Sequence, residues 1–336
     1  MTAGEESRSV EESPMEREPA SHPLLDVEDA VRRAEEAVER EPPESAIAVL
    51  DELKRVLPAQ ARLWNLAGRV LEDLGSFEMA ELNYREAVRL EPRCSEHALD
   101  LAEFLIAGER SGEAKLLVEE AIARDRSYAR ALGLLGAVRA QMGDRDDAEA
   151  AFRRALELNP GYAWAGRELS DLLCDCGKID EAHRLIVDLL NRDPLDPQSH
   201  GYLGSILEQK GLAEASVMEY RTALWLKPDY AWVARRLSRI LCAQGRPLEA
   251  AVVIRAALRA LPRDAELLVL LGCTERRMGR SVAAEDCFRR ALDMEPGLDS
   301  AFSALFDLLL EECRMEEAHA LLESMTVGER LTGEGK

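Results

Sequence analysis

Aromatic side chains are scarce in this chain, at 5% of 336 residues. That is low for a conventional α/β enzyme and closer to helical proteins rich in Ala, Leu, Glu and Arg. Long apolar runs are missing too, none approaching the ~18–20 residues of a membrane span, so no membrane insertion is expected. The opening MTAGEESRSVEESPMEREPASHP has neither a basic start nor an apolar stretch, and no secretory signal is expected. The 7 cysteines are odd in number for a disulfide framework and form no C-x-x-C pair; a reducing, cytoplasmic setting is expected. Cationic charge is short as well: 43 Lys+Arg against 64 Asp+Glu leave a net charge of -21. That balance argues against general affinity for nucleic acid or anionic lipid, which depends on neutralising phosphate. No phosphate-cradling G-x-x-x-x-G-K-[ST], nucleophile elbow or dinucleotide loop is present. Paired carboxylates are plentiful but fall on solvated helix faces, so general acid–base catalysis has no support.

What is present is a period. Pro58, Pro92, Pro160, Pro194, Pro228, Pro262 and Pro296 differ by multiples of 34 residues, and Arg126 fills the missing step. On that period the chain divides into nine units, beginning at Val27, Ala61, Ser95, Ala129, Ala163, Pro197, Ala231, Ala265 and Asp299. The twentieth position is alanine in every unit but one, where Ser216 stands, and the twenty-fourth is large: Leu50, Tyr84, Val118, Phe152, Ile186, Tyr220, Ile254, Phe288 and Leu322. Glycine marks the fifteenth position in six units, from Gly75 to Gly279. Each unit holds two amphipathic stretches, such as LWNLAGRVLEDLG and FEMAELNYREAVRLEP, with apolar residues at three- and four-residue spacing. The mid-unit glycine suits a left-handed C-cap, and the proline ends the second helix. Small residues at the eighth and twentieth positions let the helices approach, with the large residue filling the gap.

This pattern resembles the tetratricopeptide repeat, W-x2-L-G-x2-Y, then A-x3-F, then Pro. The second unit matches it best, with Trp64, Gly68, Ala80, Tyr84, Ala87 and Pro92. The resemblance implies an all-α, right-handed superhelical solenoid of helix-turn-helix repeats over residues 27–326, with a concave groove. Residues 1–26 read as a disordered acidic tail and 327–336 as a short polar one. Two ligand modes of the family are not expected. For the carboxylate clamp, Asn65 matches one position, but Arg69, Leu99 and Asp100 occupy others; the asparagine ladder of the O-linked N-acetylglucosamine transferase repeats is replaced by Leu66, Asp100, Leu134, Glu168, Tyr202 and Arg236.

A longer period overlies the first. Gly68, Gly136, Gly204 and Gly272 take the eighth position of alternate units, with Ala102, Ser170, Ser238 and Phe306 between. The segments from Tyr162 and Tyr230 are close copies, which duplication of a two-repeat block explains. Phe306 replaces a small residue, so packing in the last unit is expected to be looser or shifted. That unit's apolar Leu321, Leu322 and Met325 are expected to be exposed and to invite a second copy or another protein.

The histidines His22, His97, His183, His200 and His319 occupy unrelated repeat positions, as scattered surface residues would, and neither metal nor cofactor is expected. Cys174 and Cys176 form a C-x-C, with Cys242 repeating Cys174, and read as small packing residues. The most informative cluster is on the first helices, whose positions line the groove in the family. There Trp232, Arg235 and Arg239 share a helical stripe with Arg236 alongside, Arg276 and Arg277 come next, and Trp164, Arg167 and Tyr202 precede. Arginine forks bind carboxylate or phosphate, and aromatic faces add stacking. The competing reading has the arginines neutralising Asp171, Asp175 and other acids of the same solenoid. The function expected is non-catalytic: a scaffold or adaptor holding a protein or peptide segment, acidic segments included, in the groove. The alternative is a self-assembling or regulatory subunit that docks a catalytic partner through its last repeat.

Overall fold

A computed structural model of the chain describes residues 27–322, so the expected tails and Met325 lie outside the described residues. The described residues divide into two compact units, one ending at Asp125 and the other beginning at Arg126. The break falls at Arg126, where the proline register lapses. The first holds α1 (Val27–Arg40), α2 (Pro43–Val56), α3 (Ala61–Asp73), α4 (Phe77–Leu90), α5 (Ser95–Ala107) and α6 (Ser111–Arg124). The second holds α7 (Ala129–Gln141), α8 (Arg145–Leu158), α9 (Ala163–Asp175), α10 (Ile179–Arg192), α11 (Pro197–Gln209) and α12 (Ala213–Leu226). It continues with α13 (Ala231–Ala243), α14 (Pro247–Ala260), α15 (Ala265–Arg277), α16 (Ser281–Met294), α17 (Asp299–Glu311) and α18, described over 315–322. Among the described residues every regular element is a helix. Within each unit, first helices pack on their own second helix and on the next first helix, as α9 does on α10 and α11.

The turn inside the second to ninth repeats is a Schellman motif. In the second repeat Gly75 N–H donates to Glu72 O at 2.9 Å and Ser76 N–H to Leu71 O at 2.8 Å, with Gly75 at φ +72°. Two repeats make the same turn without glycine: Glu109 and Cys313 stand at φ 58° and 59°. An L-residue in this region costs ~1–2 kcal/mol, against the ~0.5–1 kcal/mol backbone entropy of glycine. Glu109→Gly is therefore expected to stabilise the protein by roughly 0.5–1 kcal/mol. A urea midpoint unchanged or lowered would refute this account of the turn.

The longer period is a lock between positions eight and twenty-four. A Cβ on Gly68 would lie 2.8 Å from the Tyr84 ring, on Gly136 2.7 Å from Phe152 and on Gly204 2.6 Å from Tyr220; on Gly272 it would come closer still to Phe288. Intervening repeats carry a small residue at position eight and a branched one at position twenty-four: Ala102 and Val118, Ser170 and Ile186, Ser238 and Ile254. In the last repeat Phe306 is half-buried and stacks on Phe302, with centroids 6.1 Å apart. Leu322 is exposed, and Ala318 is the one buried residue of α18 among those described.

Ion-pair groups recur with the same period between second helices. Arg85 and Arg110 both donate to Glu81 and Glu113. Arg153 and Lys178 share Glu149, and Arg289 and Arg314 share Glu285. These cations hold Glu81, Glu149 and Glu285 below the usual carboxylate range. Exposed pairs of this kind contribute little singly; their effect is to match particular repeat edges.

Candidate partner-binding face

Residues 126–336 bring the nine singled-out side chains onto the first helices α9, α11, α13 and α15, but those side chains do different things. Arg167 is buried, and its guanidinium donates to Asp196 Oδ2 at 2.8 Å. Asp196 is the N-cap of α11 and accepts from the Gln198 and Ser199 amides. Arg235 repeats the arrangement, 3.3 Å from Asp264 Oδ2 and 3.0 Å from Glu266 Oε2, with Asp264 capping α15 through Leu267 N–H. These arginines are thus engaged by helix-capping carboxylates. Asp264 and Glu266 are among the other acids of the same solenoid that the competing reading assigned to Arg235, though Asp171 and Asp175 are not its partners.

The tryptophans also pack. Trp232 meets Tyr202, Tyr220 and Tyr230 edge-on, with centroids 6.2, 6.1 and 5.3 Å apart. A Cβ on Gly201 would sit 3.0 Å from its indole. Trp164 lies on Phe152 at 6.4 Å, over Gly133. Each such pair contributes about 0.5–1.5 kcal/mol beyond area burial, so Trp232 cannot be removed without touching the packing. It is a poor test residue for binding.

The remaining cations are more available. Arg236 lies 3.6 Å from Glu208, which also accepts from the Tyr220 hydroxyl at 3.0 Å. Arg276 pairs with Glu311. Arg239 and Arg277 are exposed, and neither makes an ion pair among the described residues.

The opposite end of the face is acidic. Burial raises Glu168, helped by Asp171. The Asp171 carboxyl is reached by solvent yet walled by protein, and that desolvation, with the Asp175 charge, pushes it up to about 6 against a hydrogen bond from Tyr202. An acid held above its unfolded value of ~3.9 costs stability once ionised. Its contribution is present below about pH 4 and is lost as pH rises through 6. A carboxyl-resolved NMR titration is expected to give Asp171 a midpoint near 6, and Asp171→Asn should reduce the decline in stability across that window. A midpoint at the ordinary aspartate value of ~3.9 would refute the environment assigned to it. Cys174 is pushed up to about 11 by burial, then by Asp171 and Asp175, so it stays a thiol and is a poor nucleophile. Cys176 is exposed.

The expectation of scattered surface histidines is corrected. His97 is 7% exposed, and His200 is held between Glu219 and the Pro194 carbonyl at 2.7 and 3.0 Å. Ligand atoms of Glu91, Cys94 and His97 lie within 4.8 Å of one another, a grouping the sequence reading missed. The available signal was a histidine at a repeat position held in six other repeats by apolar residues.

Family models described as tetratricopeptide repeat match residues 61–94, 139–206, and 99–163 with 235–299. The human protein O-mannosyl-transferase TMTC3 is 25% identical over 281 residues, covering 81% of this chain and 31% of that protein. The cellulose synthase operon protein C of Pseudomonas fluorescens (strain SBW25) is 28% identical over 242 residues, covering 66% of this chain and 19% of that protein. The chain thus spans under a third of the length of these curated relatives. Among solved structures, yeast Tom70 aligns with a TM-score of 0.67 at 17% identity, covering 94% of this chain and 70% of that one. Cut9, in its complex with Hcn1, aligns at 0.56 and 16% identity, covering 86% and 57%. These likenesses bear on the fold.

Proposed function

The chain belongs to the tetratricopeptide repeat family, whose fold supports protein–protein interaction, and from that premise we propose that it is a scaffold holding an acidic partner segment against the first helices of residues 126–336. The observation that carries the reading is the pair of exposed arginines, Arg239 and Arg277, without a carboxylate partner among the described residues in a chain of net charge -21. Salt bridges engage Arg167, Arg235 and Arg276, and Arg236 is weakly paired. The two unpaired cations could accept carboxylates or phosphates from a partner without first breaking an internal bond. Trp164, Tyr202 and Trp232 would shape the surface beside them. The work of this face is binding, in keeping with repeats that are typically non-catalytic.

The experiment is affinity capture from native lysate with the wild type and with Arg239→Ala/Arg277→Ala, followed by mass spectrometry. The expected result is a protein retained by the wild type and lost from the variant at unchanged helicity, with a loss of ~2–4 kcal/mol if both are hot spots. Raising ionic strength toward 1 M, where the Debye length is about 3 Å, should weaken the same capture. A partner held equally by both proteins and insensitive to salt refutes the reading. Exposed Leu310, Met315 and Leu322 favour a second reading, in which another copy or a catalytic protein docks on the last repeat. Deletion from Cys313 onward would abolish capture in that case and preserve it in the first.

A further inference from the structure

We propose that Glu91, Cys94 and His97 form a three-ligand site for a zinc-like divalent cation at the turn joining α4 to α5. One residue supplies each donor: a carboxylate from the C-cap of α4, a thiol from the N-cap of α5 and an imidazole from the first turn of α5. The three ligand atoms lie within 4.8 Å of one another, with His97 Nε2 3.7 Å from Glu91 Oε2. A tetrahedral ion bonded at about 2.0–2.3 Å sets its ligands roughly 3.3–3.6 Å apart. The cluster therefore needs only side-chain rotations to close on such an ion. Thiolate, imidazole and carboxylate together suit zinc and its borderline neighbours, and they do not suit the hard oxygen-seeking cations.

The placement of His97 argues independently. It holds the third repeat position, where Leu63, Ala131, Ala165, Val233, Leu267 and Ala301 are buried apolar residues, Ser199 is a buried polar one and Asp29 is exposed. An imidazole in that slot is a polar group in a mostly apolar position, and Nε2 is the nitrogen that faces Glu91. A ligand role explains why an imidazole stands in the slot, next to a cysteine and a glutamate spaced three residues apart. Glu91 is exposed and Cys94 partly so, which leaves a fourth coordination position facing solvent for water. Binding releases the Cys94 thiol proton to water and forms a sulfur–metal bond; no electron changes hands. The ion would clip the end of one repeat to the start of the next.

The test uses the full chain, reduced and metal-free, titrated with Co²⁺ as the probe. The expected result is one equivalent bound, with a thiolate-to-cobalt charge-transfer band in the near ultraviolet that Zn²⁺ displaces. Cys94→Ser should abolish the band, and His97→Gln or Glu91→Gln should weaken binding at least about tenfold. Cys176→Ser, a change of an exposed cysteine on another turn, should leave it intact. Far-ultraviolet circular dichroism of each metal-free variant reports the fold, and Glu91→Gln carries the test if His97→Gln does not fold. No band in the wild type, or an equal band in Cys94→Ser, overturns the proposal.

Discussion

Replacing Asp196 with alanine is expected to lower the unfolding free energy by about 3–5 kcal/mol, the cost of breaking a buried ion pair from one side. The Asp196 carboxylate caps α11, accepting from the Gln198 amide at 3.1 Å and the Ser199 amide and hydroxyl at 3.2 and 2.5 Å. It also receives Arg167 at 2.8 Å, and the two side chains are 16% and 10% exposed. Alanine would uncap the helix and leave a guanidinium buried without its counter-charge. Arg167→Met removes the charge but keeps the cap and much of the volume, so it should cost far less, under about 1.5 kcal/mol. In Arg167→Met/Asp196→Ala the buried cation is gone, and the remaining loss should approach the ~1 kcal/mol of a lost cap. Urea denaturation of the four proteins closes this cycle. A double variant no better than Asp196→Ala alone would show that the cation does not depend on that carboxylate.

Gly272→Ala is expected to cost about 3 kcal/mol, the upper end of overpacking a filled core. The added methyl would stand 2.8 and 2.9 Å from two atoms of the Phe288 ring and nearer still to a third, and that ring is itself fully buried. The ring has no empty side to move toward without displacing a neighbouring helix. The intervening repeats point to the rescue: where position eight is Ser238 or Ser170, position twenty-four is Ile254 or Ile186, all four fully buried. Gly272→Ala/Phe288→Ile should recover most of the loss, giving a coupling energy in the ~0.5–3 kcal/mol range of contacting residues. Additive single losses would mean that the two positions do not form a lock.

These two residues also show what the sequence made legible. The 34-residue period located the repeats because proline, glycine and small residues each impose a local backbone or steric condition that recurs in every copy. First helices begin at Val27, Ala61 and so on through Asp299, at the repeat starts read from the prolines. The alternation of glycine and small residues was equally visible, though its cause required the facing ring. Charge was harder to read. Arg167, Arg235, Arg236 and Arg239 look alike on a helical stripe, yet capping carboxylates engage the first two, Glu208 weakly pairs the third, and the fourth is unpaired among the described residues. The distinction rests on a carboxylate that closes the same repeat and caps the next first helix, 29 residues along the chain in both Arg167–Asp196 and Arg235–Asp264. His97 escaped notice for a related reason. Searching for paired histidines or C-x-x-C misses three different donors spread over a helix end, a turn and a helix start.

The alternating repeat edges set a ruler for how an array like this can change length by recombination. Trp164 rests on Gly133, and Trp232 rests on Gly201 in the same way. An in-frame excision of residues 163–230, two whole repeats, would seat Trp232 on Gly133 and present each severed edge with one of its own kind. Excising 197–230 alone keeps the helical register but brings Trp232 against the Arg167 guanidinium, where no glycine makes room for an indole. Shortened or lengthened descendants of this chain should therefore be viable in steps of two repeats and handicapped in steps of one.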